Sequence, residues 1–181
     1  MAGFHALRST GLGNSCGQVE TYNVASSSGR LAIGDVVDSD GTGSATGLAG
    51  CDIAGATGQM LGIIMGFKVD PSRLTETGLP ASTQNEVFVN TDPNQVYRVD
   101  VSNGPLASAD IGLNLDSVVT VSTLSGGISI SNMTVNATGK NSTNTFPWNL
   151  VGLEEDSSGV YGNVALVRPN TTLVSAPVTG A

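Results

Sequence analysis

Apolar and polar residues alternate with a period of two over several short stretches of this chain. Val99 and Val101, for example, alternate with Arg98 and Asp100, as expected for a half-buried β-strand. Clusters of Gly, Ser, Asn and Asp separate these stretches, and no long window shows the helical period of about 3.6 residues. The pattern predicts strands at Val19–Val24, Leu31–Val37, Gln59–Val69, Glu86–Asn90, Val96–Val101, Ser117–Ser122, Ile128–Val135, Trp148–Leu153 and Val160–Val167.

About eight to ten short strands with turns between them predict an all-β fold. We expect a single β-sandwich or barrel-like domain, jelly-roll-like in its connections. Gln59–Val69 is the most apolar stretch, and its Ile-Ile pair between glycines suits a strand that is buried on both faces. Asp38–Gly50 is rich in Gly, Ser and Thr and is predicted to be a loop, and Pro71–Glu76 a single helical turn.

The clearest supersecondary signal surrounds Asp92-Pro93-Asn94. Proline at the second position of a turn fixes its φ for type I geometry, and the preceding aspartate can cap the turn. Because Glu86–Asn90 and Val96–Val101 flank this turn directly, the sequence predicts that they form a β-hairpin.

Residues 1–18 contain four glycines and no sustained apolar period, so we predict an extended N-terminal arm before a β-rich domain over 19–181, which ends in a mobile tail. Two interpretations of the arm stay open. It is either a frayed terminus or a segment that becomes ordered on a neighbouring subunit, with Phe4 and Leu7 as anchors.

Composition narrows the function classes. The net charge is −8, and the seven basic residues are scattered singly, so direct nucleic-acid binding is not expected. The start of the chain lacks a basic segment followed by an apolar core, which predicts that no secretory signal is present and that the protein stays in a reducing cytoplasm until release. Met60–Phe67 is too short to span a bilayer, so no membrane partner is expected.

Residues with catalytic or metal-binding potential are few. His5 is the sole histidine and lies on the predicted arm, which makes a rigid general base improbable. Asp38 and Asp40 precede Gly41 in half of a calcium-loop pattern, without the later bidentate glutamate, so a polar surface loop is favoured over a cation site.

The remaining candidates also favour structural interpretations. Glu154-Glu155-Asp156 sits in a turn context and is read as a solvated loop rather than a pair of facing carboxylates. Cys16 and Cys51 match no zinc motif, and whether they pair stays open. We therefore expect no enzymatic activity, no cofactor and no metal.

Four stretches resemble, in their order, the head decoration (capsid cement) proteins of tailed bacteriophages. Leu31–Val37 carries a Gly34-Asp35 step like that of the family. Leu61–Phe67 is similar to its apolar strand. The later stretches are the Asp92-Pro93 turn followed by Ala109–Asp116 and Ser125-Gly126, and the closing segment Gly162–Ala181.

This resemblance implies a β-domain that binds the outer surface of an assembled capsid as an oligomer, most often a trimer, with the major capsid protein as partner. In the particle it would stabilise the shell against the pressure of packaged DNA. We predict Phe4, His5, Leu7 and Arg8, together with the Asp38–Gly50 loop, as contacts with the shell.

The alternative is a receptor-binding or adhesin β-module of a phage or bacterium. Carbohydrate recognition of that kind uses exposed aromatic side chains that stack on sugar faces. Trp148, Tyr22, Tyr97 and Tyr161 are the candidates besides four phenylalanines. A hydrolase such as a depolymerase fits least, since a histidine-based or carboxylate-based site is hard to assemble from these residues.

Overall fold

The fold is all-β, as predicted. The computed structural model describes residues 3–9, 18–27, 29–56, 60–142 and 146–170. Its short 3₁₀ turns lie at Pro71–Arg73 and Ser108–Asp110, and none of the helices in these ranges is long and apolar enough to cross a membrane. The strands are β1 His5–Ser9, β2 Val19–Val24, β3 Val36–Gly43, β4 Ala49–Ile53, β5 Gly62–Phe67, β6 Asn85–Asn90, β7 Gln95–Ser102, β8 Asn114–Leu115, β9 Ser117–Val118, β10 Thr123–Ser125, β11 Ile128–Ile130, β12 Thr134–Asn136, β13 Trp148–Glu155 and β14 Tyr161–Pro169.

Five strands close into a small barrel in the order β2-β4-β3-β5-β6. The longest ladder in it joins β2 and β6, which pair from Val19 opposite Asn90 to Val24 opposite Asn85. The parallel contact that joins β2 to β4 consists of Asn23 opposite Gly50. The barrel interior is filled by aliphatic side chains and one thiol, from Val24, Leu31, Val37, Cys51, Leu61, Ile64, Leu79, Val87 and Val89.

A second, seven-stranded sheet has the order β8-β13-β14-β7-β12-β9, with β1 attached to β7. β7 is central, because β14 pairs along one edge while β1 and β12 share the other. One side of this sheet packs in a second hydrophobic core around Trp148, Tyr97 and Phe4. The rings of Phe4 and Trp148 stack with centroids 4.4 Å apart, and the ring of Tyr97 meets both edge-on.

The two cores share strands. Val36 on β3 and Ile63 on β5 belong to the core of the large sheet, whereas Val37 and Ile64 belong to the barrel interior. Successive side chains of a strand point to opposite faces, so these strands serve both cores. The predicted two-sided burial is therefore confirmed for the first half of β5, while Met65 is partly exposed.

The predicted hairpin between Glu86 and Val101 is wrong, although both of its strands and its turn exist. The Asn94 N–H donates to Asp92 Oδ1 at 2.8 Å, so the aspartate caps the turn as expected. However, β6 pairs with β2 and β5, and β7 pairs with β14, β1 and β12. The turn thus carries the chain from the barrel to the large sheet.

The predicted Asp38–Gly50 loop is also corrected, because most of it forms the hairpin of β3 and β4. The turn itself is short: the Ser44 N–H donates to the Leu48 carbonyl at 2.8 Å. β3 begins later than predicted, since Leu31 forms only an isolated bridge with Leu79. The predicted helical turn near Pro71 is present as a 3₁₀ turn over Pro71–Arg73.

The described part of the predicted N-terminal arm belongs to the large sheet of its own chain. The Phe4 N–H donates to the Gly34 carbonyl at 3.0 Å, and β1 follows along β7. The Phe4 side chain is 2% exposed. Its predicted role as an anchor on a neighbour is therefore corrected: burial against Trp148 and Tyr97 leaves it no surface for another chain.

Candidate interaction surface

Large aliphatic side chains are exposed together at one end of the barrel. Ile33, Val69, Leu74, Ile128 and Ile130 are 40 to 75% exposed, and we call them the apolar face. They come from the turn before β3, from the segment after β5 and from the β10–β11 hairpin. Isolated exposed aliphatic residues are ordinary, but a contiguous group marks an interaction site.

Two shallow grooves make the apolar face continuous. One groove, of about 300 Å³, is lined by Val69, Leu74 and Ile33, and the other, of about 400 Å³, by Ile33, Ile128 and Ile130. Thr77 and Gly78 line both grooves. Because the grooves share these residues and Ile33, a single partner could contact both.

Local hydrogen bonding fixes the β10–β11 hairpin beside the barrel. The Thr77 N–H donates to the Gly127 carbonyl at 2.9 Å, and the Ser129 N–H donates to Thr77 Oγ1 at 2.9 Å. The Ser129 hydroxyl also donates to the Thr77 carbonyl. Gly78 has a φ of +83°, and a Cβ there would lie 2.5 Å from the Leu31 carbonyl oxygen, so only glycine allows this close approach.

A buried carboxylate lies beneath the apolar face. Asp35 is fully buried and accepts hydrogen bonds from the Ala32 N–H at 2.7 Å and from the Ser122 hydroxyl at 2.7 Å. Burial raises the pKa of this carboxyl, and hydrogen bonds from Ser131 and Ser122 act in the opposite direction. Ser122 precedes β10 and Ser131 follows β11, so Asp35 holds both legs of the hairpin against the turn that carries Ile33.

The charges around the apolar face are paired within the chain. Arg30 contacts Glu76 at 2.9 Å, Lys68 contacts Glu86 at 2.6 Å, and Arg73 contacts Asp70 at 3.5 Å. Removing these three pairs from the seven basic and fifteen acidic residues of the chain leaves four against twelve. The two grooves are lined by two acidic and two basic side chains, Asp70, Glu76, Lys68 and Arg73, so the charges around the apolar face nearly balance.

The residues predicted to contact a capsid do not stay together. His5 lines the groove with Ile128 and Ile130, so it borders the apolar face. Leu7 is half-exposed on β1, and Arg8 lies opposite Val96 in the same ladder. Phe4 is in the core. The β3–β4 hairpin is largely exposed from Ser39 to Ala49.

The acidic motifs have local structural roles. Asp40 Oδ1 accepts hydrogen bonds from the N–H and the hydroxyl of Thr42, at 2.8 and 2.7 Å. Asp156 caps the turn after β13, and Glu154 pairs with Arg98 at 2.8 Å. Within the described ranges, no three His, Cys, Asp or Glu side chains are grouped as metal ligands would be.

Of the two cysteines, Cys51 lies within the described residues and Cys16 does not. Cys51 is fully buried in the barrel, and this burial raises the pKa of its thiol to about 12, which disfavours the reactive thiolate. Cys16 lies outside the described residues, so pairing of the two thiols stays untested.

The aromatic residues differ in the surface that they offer for stacking on a sugar: Tyr161 is 62% exposed and Phe88 is 38% exposed. Trp148 and Tyr97 are buried, and the Trp148 Nε1–H donates to Ser117 Oγ at 2.9 Å within the core. Of the four candidates, Tyr22 and Tyr161 keep part of their surface exposed.

Comparison of the chain with protein-family models, with curated proteins and with solved structures gave no match in any of the three.

Proposed function

We propose that this chain is a non-enzymatic virion structural protein, a capsid decoration protein that binds the assembled shell of the major capsid protein. The observation that carries the proposal is the largely exposed β3–β4 hairpin, which extends from the barrel with Gly, Ser and Thr residues and offers a surface for a partner. The ordered resemblance to decoration proteins supplies the kind of assembly. Binding only the assembled shell stabilises it by mass action against the pressure of packaged DNA.

The shared cores support a mechanical role. A decoration protein that spans the contacts between capsid subunits must keep its shape while pressure pulls those subunits apart. Here β3 and β5 contribute to both cores, so the barrel and the large sheet cannot shear past each other without disrupting packing in both. The resemblance favours a trimer on the outer surface of the virion.

We assign the shell contact to the β3–β4 hairpin. β5 pairs with β3 at Val36 and Val37, and β2 pairs with β4 at Gly50. Beyond those points the two strands pair with each other, so the hairpin extends from the barrel with exposed Gly, Ser and Thr residues. A projecting, nearly uncharged tip can enter a joint between capsid subunits without desolvating many charges.

A binding assay with mature, DNA-filled heads of the virus that encodes the chain tests this function. We expect the purified protein to co-sediment with heads at a copy number comparable to the capsid protein, and to raise the temperature at which heads release DNA. Failure to bind heads, together with absence from purified virions, would remove the proposal.

A matched pair of variants tests the assigned contact. Ala45→Trp places a bulky side chain at the exposed tip of the β3–β4 hairpin, and Ser157→Trp does the same at the exposed β13–β14 turn. We expect Ala45→Trp to weaken binding to heads at least about tenfold, a free-energy change of roughly 1.4 kcal/mol. Ser157→Trp should bind as the wild type does. Equal binding by both variants would place the contact elsewhere.

A further inference from the structure

We infer that the apolar face is covered by a second copy of this chain, so that the protein self-associates through Ile33, Val69, Leu74 and the β10–β11 hairpin. The first reason is charge. Two chains of net charge −8 repel each other over most of their surfaces. The region around the apolar face, where Arg30, Lys68 and Arg73 are each paired, allows two copies to approach without that penalty.

The second reason is the incomplete burial of the β10–β11 hairpin. A two-stranded hairpin is marginally stable unless it packs on something else. This one is attached at its base through Asp35 and along β11 through Thr77, yet Leu124, Ile128 and Ile130 remain 44, 57 and 40% exposed. Ile128 and Ile130 share one face of the hairpin, and a second chain on that face would complete the packing.

The third reason is timing, and this step rests on the proposed function. A protein that binds only the assembled shell stays free until shells exist, and an uncovered apolar face would then favour aggregation. A second copy is the partner that is always present at the same concentration. Permanent interfaces between copies are also the more apolar kind, whereas interfaces that form later are more polar.

Mass measurement by light scattering, in the absence of heads, tests the inference. We expect the wild type to have a small integer multiple of its 18.2 kDa chain mass. The double variant Leu74→Glu with Ile128→Glu puts two carboxylates on the apolar face and should be a monomer. Both positions are more than half exposed, so the fold should tolerate the changes, which far-ultraviolet circular dichroism checks.

The control is Ile111→Glu, compared with the single variant Ile128→Glu: each adds one carboxylate at a position about half exposed (48 and 57%), but Ile111 lies away from the apolar face. Ile111→Glu should keep the wild-type mass. A monomeric wild type at all accessible concentrations would overturn the inference, as would a folded double variant that retains the oligomer mass.

Hydrogen exchange on the wild type gives a second test that needs no variant. Dilution through the dissociation range should speed exchange of the amides in residues 123–130, while amides of β7 and β14 keep their protection. Unchanged exchange in 123–130 across a measured change in mass would place the interface elsewhere.

The two proposals fail separately. An oligomer that does not bind heads retains the inference and removes the decoration role, and a monomer that binds heads does the reverse.

Discussion

Asp35 is the residue on which several local structures depend. Its buried carboxylate accepts hydrogen bonds from the Ala32 N–H and the Ser122 hydroxyl. It therefore joins the turn before β3 to the segment that leads into β10. Replacing it with alanine leaves those buried donors without an acceptor, which costs about 1–3 kcal/mol. Asparagine can keep part of the hydrogen bonding but cannot ionise, so it isolates the effect of charge.

Asp35→Asn should therefore change how stability depends on pH. The pKa of Asp35 is raised in the folded state above its unfolded value of 3.8, so its favourable contribution is complete below that pH and is lost as the pH rises through the folded-state pKa. We expect the free energy of unfolding of the wild type, relative to Asp35→Asn, to fall as the pH is raised from below 3.8. Urea denaturation across this range measures the difference.

Asp156→Asn is the matched comparison, with the opposite sign. Hydrogen bonds from Asn163 and Ser158 lower the pKa of Asp156, so its contribution is present above the unfolded value and is lost as the pH falls through the folded-state pKa. For Asp35, the opposite result would be a free energy of unfolding of the wild type that rises with pH relative to that of Asp35→Asn. That result would contradict the burial of the Asp35 carboxyl.

Gly78 and Gly47 form a second residue-scale test, because both have a φ of +83°. Alanine at either position costs about 1–2 kcal/mol for the left-handed backbone. At Gly78 the added Cβ would also lie 2.6 Å from the Cβ of Ser129, whereas nothing lies within 4 Å of it at Gly47. We expect Gly78→Ala to lose about 1–3 kcal/mol more than Gly47→Ala. Thermal denaturation compares them, and equal losses would show that the hairpin is not packed there.

At the scale of elements, β1 is informative because a strand of the large sheet stands where an extended arm was predicted, with its order on a neighbouring subunit left open. Phe4→Ala should cost about 3–5 kcal/mol, since the ring is buried against Trp148 and Tyr97. Leu7→Ala, on the same segment but half-exposed, should cost less than about 1 kcal/mol. Chemical denaturation of the two variants measures the loss in the free energy of unfolding. Equally small losses would show that the segment does not pack on the large sheet.

Strand positions were predicted well where short runs rich in apolar and β-branched residues lie between turn residues. β2 spans the predicted residues, and β13 and β14 are found close to their predicted limits, because such local composition favours strands. The pairing of β6 and β7 could not be read in the same way. A capped turn at Asp92 closes a hairpin or crosses between sheets with the same local chemistry, and only distant partners decide which.

The apolar face could not be predicted from the sequence, for a related reason. Ile33, Leu74 and Ile128 are far apart in the chain, and nothing in the local sequence around any one of them indicates that the other two lie beside it. Residues from separate segments become a surface only after the Leu31–Leu79 bridge and the contact of Thr77 with Gly127 bring them together. The composition of Asp38–Gly50 was misleading in the opposite direction, since Gly, Ser and Thr also suit an exposed hairpin.

At the scale of the molecule, strands shared between two cores predict one cooperative unfolding transition. Trp148 is the sole tryptophan and reports on the core of the large sheet, whereas Ile64 is inside the barrel. Ile64→Ala, which costs about 2–5 kcal/mol, should therefore shift the fluorescence transition of Trp148 as much as the circular dichroism transition of the whole chain. A Trp148 transition that stayed at its wild-type midpoint would mean that the barrel unfolds separately.

The position of β7 between β1 and β14 also determines how the molecule responds to tension. Both neighbours are antiparallel to β7, so they run in the same direction as each other, and residues 3 and 170 leave the sheet at opposite ends. A force that separates these two points loads both ladders along the strands. Their hydrogen bonds must then yield together rather than one at a time, so a pull along this axis meets greater resistance than one that peels a strand from the edge.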